Sequence, residues 1–313
     1  MTIQPGQVGG APAATATPVQ ATAVKATPRE DRGVGGPIQR ALYLLLLLGA
    51  TFLFIFPFVW LVSASLKDRA TVYNNEFFPA PLRFENYLTV FEIAPVANWF
   101  VNSVLVGVLA ASAVTLSSAL VAFGFAYFRF PYRNAVFGLV LATMMLPGAV
   151  TLIPTFLIWN ALGQVNSPYF TPLWAGNLFA SAFYIFLLRQ FFLGLPRELF
   201  EAARVDGANP LRMWWSVALP LTRAALIVVF IFELKASWTE LMKPLIFIRD
   251  IALFTLPRGL QSLVARFNPQ TGGEGEFQFV MAASVIITVP MVIVFFLAQR
   301  YFVEGIATTG SKG

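Results

Sequence analysis

The sequence contains no cysteine and no histidine among its 313 residues. Without cysteine the chain can form no disulfide and offers no thiolate to a metal. Without histidine it lacks the commonest general base and metal ligand. No G-x-x-x-x-G-K-[ST] motif occurs, so the chain carries no P-loop of its own for a nucleotide. We therefore expect a protein that is not an enzyme and that holds neither a cofactor nor a metal.

Charged residues are also scarce. Only 12% of the residues are charged while 58% are hydrophobic, and the mean hydropathy is +0.72. A soluble domain needs about a quarter of its residues charged to cover its surface. We therefore predict an all-α protein in a lipid bilayer. The net charge of +6 does not indicate a nucleic-acid partner, because the Lys and Arg residues of membrane proteins collect on cytoplasmic loops.

Charge-free stretches predict six transmembrane helices, since a helix crosses the hydrocarbon core with about 20 apolar residues. One uncharged run, 134–188, is too long for one span, and the turn-forming residues 163–168 divide it into two. The six predicted spans are residues 41–66, a second centred on 104–123, the two parts of 134–188, a fifth near 221–247, and 277–299.

The two ends of the chain are expected on the same side of the membrane. Residues 1–37 are rich in Ala, Thr, Pro and Gly, which predicts a disordered tail before a membrane domain over 38–313. Six spans put both termini on one side, which carries thirteen of the 21 Lys and Arg residues against six in the opposite loops. Positive charge collects on the cytoplasmic side. We therefore predict a multi-pass protein of the cell membrane with both termini in the cytoplasm.

A compact polar segment, residues 196–221, interrupts the apolar sequence with "PRELFEAARVDGANPLRMWWSVALPL". Pro196 suits the first turn of a helix, and Gly207 supplies a left-handed residue to end that helix. Asn209 can cap a second helix that begins at Pro210. The pattern predicts two short helices joined by a tight turn. On pattern alone they are either a docking element or a linker whose aromatic residues rest among the lipid headgroups.

The polar segment closely resembles the EAA loop of ABC-importer permeases. Other motifs resemble the carbohydrate-uptake branch of that family, and most closely the second permease subunit of maltose- and oligosaccharide-type importers: "NSVLV" from residue 102, "MMLPGAVTLIP" over 144–154 and "QRYFVEGIATTGSKG" over 299–313. One departure is Thr239 in "SWTELMKP", where the family often has Trp-Asn-Glu. The residues at the spacing of the EAA loop are Glu201, Ala202, Ala203, Asp206, Gly207, Leu219 and Pro220.

The resemblance implies the type I ABC-importer permease fold, with six transmembrane helices and a cytoplasmic helix–turn–helix that couples the membrane domain to an ATPase. It implies that the chain and a second permease form a pathway for a sugar or oligosaccharide. The implied partners are two cytoplasmic ATPase subunits and an extracellular or periplasmic sugar-binding protein. The C-terminal Lys312 and Gly313 are also implied to contact the ATPases.

Two carboxylates in the fifth span are candidate pathway residues. Glu233 and Glu240 are seven residues apart and would share one face of a continuous helix. A charge at bilayer depth costs about 2.5–3.5 kcal/mol on insertion scales, so it should face protein or water. The two carboxylates could line the sugar path. The alternative is structural, with Glu233 satisfied by a polar group on a neighbouring helix.

Two other functional classes compete with an importer subunit. A secondary carrier for a small polar solute would more usually show internal repeats and buried coupling carboxylates, and no repeat is visible in this sequence. An intramembrane enzyme would need clustered nucleophiles, acids or metal ligands, and a chain without Cys and His has few to use.

Overall fold

The computed structural model describes residues 36–74, 76–268, 270 and 272–307, with side chains described as far as residue 299. Within these residues the chain is mostly helical and contains no β-strand. All but the last two residues of the predicted tail 1–37 lie outside the described part, as do Lys312 and Gly313. The all-α prediction is confirmed.

Fourteen α-helices are found in the described residues, together with several short turns of other helical types. The turns are 3-10 at Thr143–Met145, Ala175–Phe179 and Ile251–Leu253, and π-helical at Trp214–Ala218. The α-helices are α1 (Pro37–Ser65), α2 (Glu85–Ile93), α3 (Val96–Tyr127), α4 (Arg133–Ala142), α5 (Gly148–Ala161), α6 (Thr171–Trp174), α7 (Ala182–Leu193), α8 (Arg197–Val205), α9 (Pro210–Met213), α10 (Leu219–Leu221), α11 (Arg223–Thr239), α12 (Met242–Phe247), α13 (Leu256–Phe267) and α14 (Phe277–Ala307).

Six stretches of helix account for the six predicted spans. Three helices in the described residues are long and apolar enough to cross a membrane unbroken: α1, α3 and the Phe277–Gln299 part of α14. Three bent pairs pass the same test of length and composition. They are Arg133–Met145 with Gly148–Ala161, bent by 94°, Thr171–Phe179 with Ala182–Leu193, bent by 40°, and Pro210–Leu221 with Arg223–Thr239, bent by 83°.

The third span bends sharply at Pro147. Leu146 is extended with ψ 119°, as the residue before a proline prefers, and Pro147 itself has ψ 131°. The helix therefore stops at Met145 and starts again at Gly148 in a new direction. The residues of α4 and α5 are all at least partly exposed in the single chain.

The fifth span is shorter than predicted, so that Glu240 lies just beyond the end of the helix that carries Glu233. Helix α11 ends at Thr239, and Glu240 is extended with ψ 122°. The carboxylate of Glu240 accepts hydrogen bonds from the backbone N–H groups of Met242 at 2.8 Å and Lys243 at 3.4 Å. The first N–H groups of any helix lack partners within it, and Glu240 supplies them for α12. The Glu240 side chain thus caps the start of α12 directly after the end of α11.

Helix α3 lies at the centre of residues 55–313, where it packs against α7, α11 and α13. Small residues on α3 let its neighbours approach closely, as is usual between membrane helices. A Cβ added to Gly107 would lie 2.9 Å from the side chain of Leu234 on α11. Buried side chains form two clusters along α3, one around Trp99 and Phe247 and the other around Phe123 and Leu188. Residues 37–54 of α1 form a unit of their own with nearly every side chain exposed.

Candidate functional site

The polar segment, residues 196–221, folds as two short helices joined at a glycine. Helix α8 ends at Val205, and Gly207 has φ +78° with its N–H bonded to the carbonyl of Arg204 at 3.0 Å. A Cβ at Gly207 would meet no atom within 4 Å. Glycine is therefore required here by the left-handed backbone and not by crowding. The predicted turn is confirmed.

The predicted cap of the second helix is also present. The side-chain oxygen of Asn209 accepts the N–H of Arg212 at 2.8 Å, and Pro210 begins α9. Pro196 lies one residue before α8, not within its first turn. The helix then widens into a π-helical turn before Pro220, a feature often seen at functional sites.

The polar segment is fixed to the membrane helices by its apolar side. Phe200 of α8 and Met213 of α9 are buried, as is Trp214. They join the buried cluster that contains Phe123 of α3 and Leu188 of α7. This packing connects the segment to α3 and α7.

The opposite side of the polar segment is exposed and partly apolar. Among the sequence-predicted residues, Glu201, Ala202, Asp206, Gly207 and Pro220 are exposed, and Ala203 and Leu219 are half-buried. The most exposed large apolar side chains of the segment are Val205 by 88%, and Leu211 and Trp215 by 61% each. Exposed apolar groups on a polar element mark an interaction surface. Sequence reasoning missed Val205 and Leu211, which an amphipathic reading of each short helix would have placed on the outer face.

A second candidate site is a cavity of about 230 Å³ beside α11. Glu233 and Glu240 both line it. Lys243 contributes a positive charge to the same lining, and Thr255 adds a hydroxyl that is buried without a hydrogen-bond partner in the described residues. Sequence reasoning missed Thr255, since its place in the cavity depends on the packing of distant segments.

Glu233 has polar neighbours inside the protein. The side-chain amide of Asn177 donates to the Glu233 carboxylate at 2.7 Å and to the carbonyl of Ala110 on α3 at 3.2 Å. The hydroxyl of Tyr184 on α7 lies near Glu233 as well. The structural alternative from the sequence is therefore correct for Glu233. It does not exclude the other role, because Glu233 is only half-buried and lines the cavity as well.

Asn177 lies in the bend between α6 and α7, and serines of α3 complete the hydrogen bonds of this bend. Ser117 donates to the carbonyl of Asn177 at 2.9 Å, and Ser118 accepts the N–H of Ser181 at 3.1 Å. Ala180, between them, has φ +65°. A broken helix is tolerated at membrane depth when neighbouring side chains satisfy its freed backbone groups. Helix α3, the bend and α11 are thus joined by one polar network.

No group of three or more acidic residues among the described residues could hold a metal ion. The candidate sites are an exposed surface of the polar segment at one end of α3 and α7, and a polar cavity along α11.

Three comparisons with known proteins bear on these sites. The family model "Binding-protein-dependent transport system inner membrane component" matches residues 104–308, more than half of the chain. The arabinooligosaccharides transport system permease protein AraQ of Bacillus subtilis (strain 168) is 30% identical over 271 residues, covering 84% of this chain and 92% of that protein. The sn-glycerol-3-phosphate transport system permease protein UgpE of Salmonella typhi is 34% identical over 274 residues, covering 84% and 93%.

Two solved structures share the fold. A chain of a bacterial ABC transporter involved in the import of the acidic polysaccharide alginate aligns with a TM-score of 0.73 and 23% identity, covering 86% of this chain and 99% of that chain. A chain of the bacterial alginate ABC transporter in complex with an alginate pentasaccharide-bound periplasmic protein aligns with a TM-score of 0.61 and 16% identity, covering 84% and 94%.

Proposed function

The chain belongs to the family of inner-membrane components of binding-protein-dependent transport systems, and we propose that it forms half of the membrane pathway of an importer for uncharged sugars or oligosaccharides. It is a multi-pass membrane permease of the ABC-importer type and not an enzyme. The other half of the pathway is a second permease. Two ATPase subunits drive the transport, and a sugar-binding protein delivers the substrate.

The choice of an uncharged sugar rests on the cavity beside α11. Two carboxylates, Glu233 and Glu240, line it against one lysine, Lys243. A site with excess negative charge repels an anion, whereas carboxylates, hydroxyls and amines can all bond to sugar hydroxyls. The relative named for arabinooligosaccharides transport suggests an uncharged substrate for this chain, and that named for sn-glycerol-3-phosphate transport suggests an anionic one. The lining favours the uncharged class.

Uptake by the assembled importer would test the substrate class, with uncharged oligosaccharides and sugar phosphates offered in parallel. We expect uptake of an uncharged oligosaccharide that needs both the ATPase and the second permease. The purified chain alone should hydrolyse no ATP, because it contains no P-loop. Uptake restricted to phosphate-bearing substrates would contradict the substrate class. Hydrolysis by the chain alone would contradict its role as a permease subunit.

The polar segment is the proposed ATPase-docking element. The residues that carry this role are Glu201, Ala202, Ala203, Asp206, Gly207, Leu219 and Pro220. The support is the exposed apolar surface of Val205, Leu211 and Trp215 on an element whose buried side chains pack with those of α3 and α7. Such an element can carry the motion of a soluble subunit into the spanning helices. Lys312 and Gly313 are proposed as a second contact with the ATPase.

Docking to a cytoplasmic ATPase requires the polar segment and both termini to lie in the cytoplasm, together with the tail 1–37. The absence of native cysteine makes this orientation easy to test. Single cysteines can be introduced at the exposed positions Glu76 and Asp206. An odd number of the proposed spans separates these two positions, so they should lie on opposite sides of the membrane. In whole cells, an impermeant thiol reagent should label the cysteine at 76 and spare that at 206. The reverse pattern would refute the orientation.

A further inference from the structure

A second cavity, of about 470 Å³, lies where α3 ends, next to the end of α7 and the start of α8. Its lining is strongly basic. One acidic residue, Glu201, lines it together with four arginines, which are Arg129, Arg133, Arg197 and Arg204. This cavity is separate from the one beside α11, since the two share no lining residue.

None of the four arginines has a counter-ion within the described residues, whose three ion pairs all lie elsewhere. Arg133 donates to the carbonyl of Phe128 at 3.2 Å, and Arg204 donates to the hydroxyl of Tyr127 at 2.6 Å. These neutral partners orient the two guanidinium groups without cancelling their charge. Several N–H donors therefore remain available to an anionic ligand, because a guanidinium group has five.

The rest of the lining is apolar and aromatic. Phe123, Phe192 and Phe200 are buried in its walls, while Phe128 and Leu193 are 41% and 45% exposed. Tyr127 also lines the cavity, and a tyrosine with basic neighbours at the end of a membrane helix is typical of the headgroup layer of a bilayer. The cavity thus combines a cationic lining with exposed apolar surface at the ends of two spanning helices.

We propose that this cavity binds the phosphate headgroup of an anionic phospholipid. Arginine binds phosphate through paired hydrogen bonds, and basic pockets between membrane helices suit such headgroups. The exposed Phe128 and Leu193 would contact the glycerol and the first acyl carbons. The exposed apolar residues proposed to meet the ATPase, Val205, Leu211 and Trp215, do not line this cavity. The bound lipid joins α8 to α3 and α7, which makes it part of the support of the polar segment.

The binding test uses the full-length chain in an uncharged detergent. Dihexanoylphosphatidylglycerol, added below its micelle concentration, should bind saturably in calorimetric titration. Dihexanoylphosphatidylcholine has the same acyl chains and no net charge. Its affinity should be lower by about tenfold or more, because its cationic group opposes the charge-assisted bonds to the phosphate. Inorganic phosphate at the same concentration should not displace the anionic lipid, because it lacks the apolar part.

The variant for this test is Arg129→Gln combined with Arg197→Gln. Neither side chain has a recorded hydrogen bond or ion pair in the described residues, so their loss should leave the packing intact. We expect the affinity of the double variant for the anionic lipid to fall by about tenfold or more. The matched control is Arg212→Gln, an exposed arginine of the same segment outside the cavity, which should bind as the wild type does. If the double variant fails to fold, Arg129→Gln alone gives the same comparison.

Any of four results would overturn the proposal. Equal binding of the two lipids would show that binding does not depend on the charge of the lipid. Unchanged binding in a folded variant would place the lipid elsewhere, and full displacement by inorganic phosphate would make the cavity a simple anion site. If the wild type binds no anionic lipid and the double variant loses the ATPase, the arginines serve a protein interface instead. The lipid measurement involves no ATPase, so its failure is distinct from failure of the proposed docking role.

Discussion

The polar segment and the network around Glu233 both place polar groups beside apolar helices, but their internal shapes depend on different kinds of hydrogen bond. In the polar segment the bonds that form the turn and the cap are local: Asn209 caps an N–H three residues ahead, and Gly207 bonds to Arg204, although the bond from Arg204 to Tyr127 links the segment to α3. Around Glu233 the bonds join distant parts of the chain. Asn177 is 56 residues from Glu233 and 67 from Ala110.

This difference bears on how the two regions can move. A segment held by local bonds keeps its shape when it moves as a body, which suits an element that carries force from one subunit to another. A network that joins α3, the bend before α7 and α11 cannot keep all its bonds if one of these elements shifts. We therefore expect changes in the network to affect assembly and changes in the polar segment to affect coupling.

The largest expected effect is that of Asn177→Leu. The variant removes a partner of Glu233 and leaves a carboxylate and the Ala110 carbonyl less satisfied at membrane depth, a loss of about 3 kcal/mol. Membrane abundance and co-purification with the second permease should fall together. The control is Glu233→Gln, which keeps an oxygen acceptor for the amide of Asn177. It should assemble better than Asn177→Leu. Normal assembly of Asn177→Leu would mean that the network does not hold the helices.

The next effect is that of Gly207→Val, and it should separate assembly from transport. Valine in the left-handed region costs about 1–2 kcal/mol, and the turn can relieve this strain by tilting α8 against α9. We expect normal membrane abundance with uptake largely lost. Gly207→Asn is the matched control, because asparagine tolerates positive φ, and it should retain more uptake. Full uptake by Gly207→Val at normal abundance would show that the polar segment is only a linker.

A smaller effect is expected for Asn209→Ala, which removes the cap of α9. Loss of a helix cap costs about 1 kcal/mol. Uptake should fall partially at unchanged membrane abundance, and Asn209→Asp should restore it because aspartate caps as well as asparagine does. An equal loss in both variants would show that the amide acts through another contact than the cap.

The smallest effect is expected for Ser117→Ala, which removes one of the bonds to the bend before α7. A single hydrogen bond contributes about 0.5–1.5 kcal/mol, and the other bonds of the network remain. The thermal midpoint of the purified complex should drop slightly, with uptake preserved. Ser262→Ala, which loses a bond within α13 only, is the control. A larger loss from Ser262→Ala would contradict the importance given to the network.

The same contrast explains what the sequence could and could not predict. The turn at Gly207 and the cap at Asn209 follow from rules about neighbouring residues, and both are confirmed. The six spans follow from runs of apolar residues, although the 94° bend at Pro147 exceeds what a proline alone predicts. The end of α11 at Thr239 was missed because Glu240 looks like part of a continuous helix until its bonds to α12 are known. Asn177 was missed because nothing near it in the sequence points to Glu233.

The central claim, that the polar segment docks onto the ATPase, is tested most directly by cross-linking. A single cysteine at Ala202, on the exposed side of α8, can carry a benzophenone maleimide in membranes that contain the assembled importer. A second preparation carries the same label at Glu76, in a loop far along the chain from the polar segment. On illumination we predict a covalent adduct with the ATPase from position 202 and none from position 76. Absence of the ATPase adduct at 202 in an importer that still transports, or an equal yield from both positions, would contradict the account.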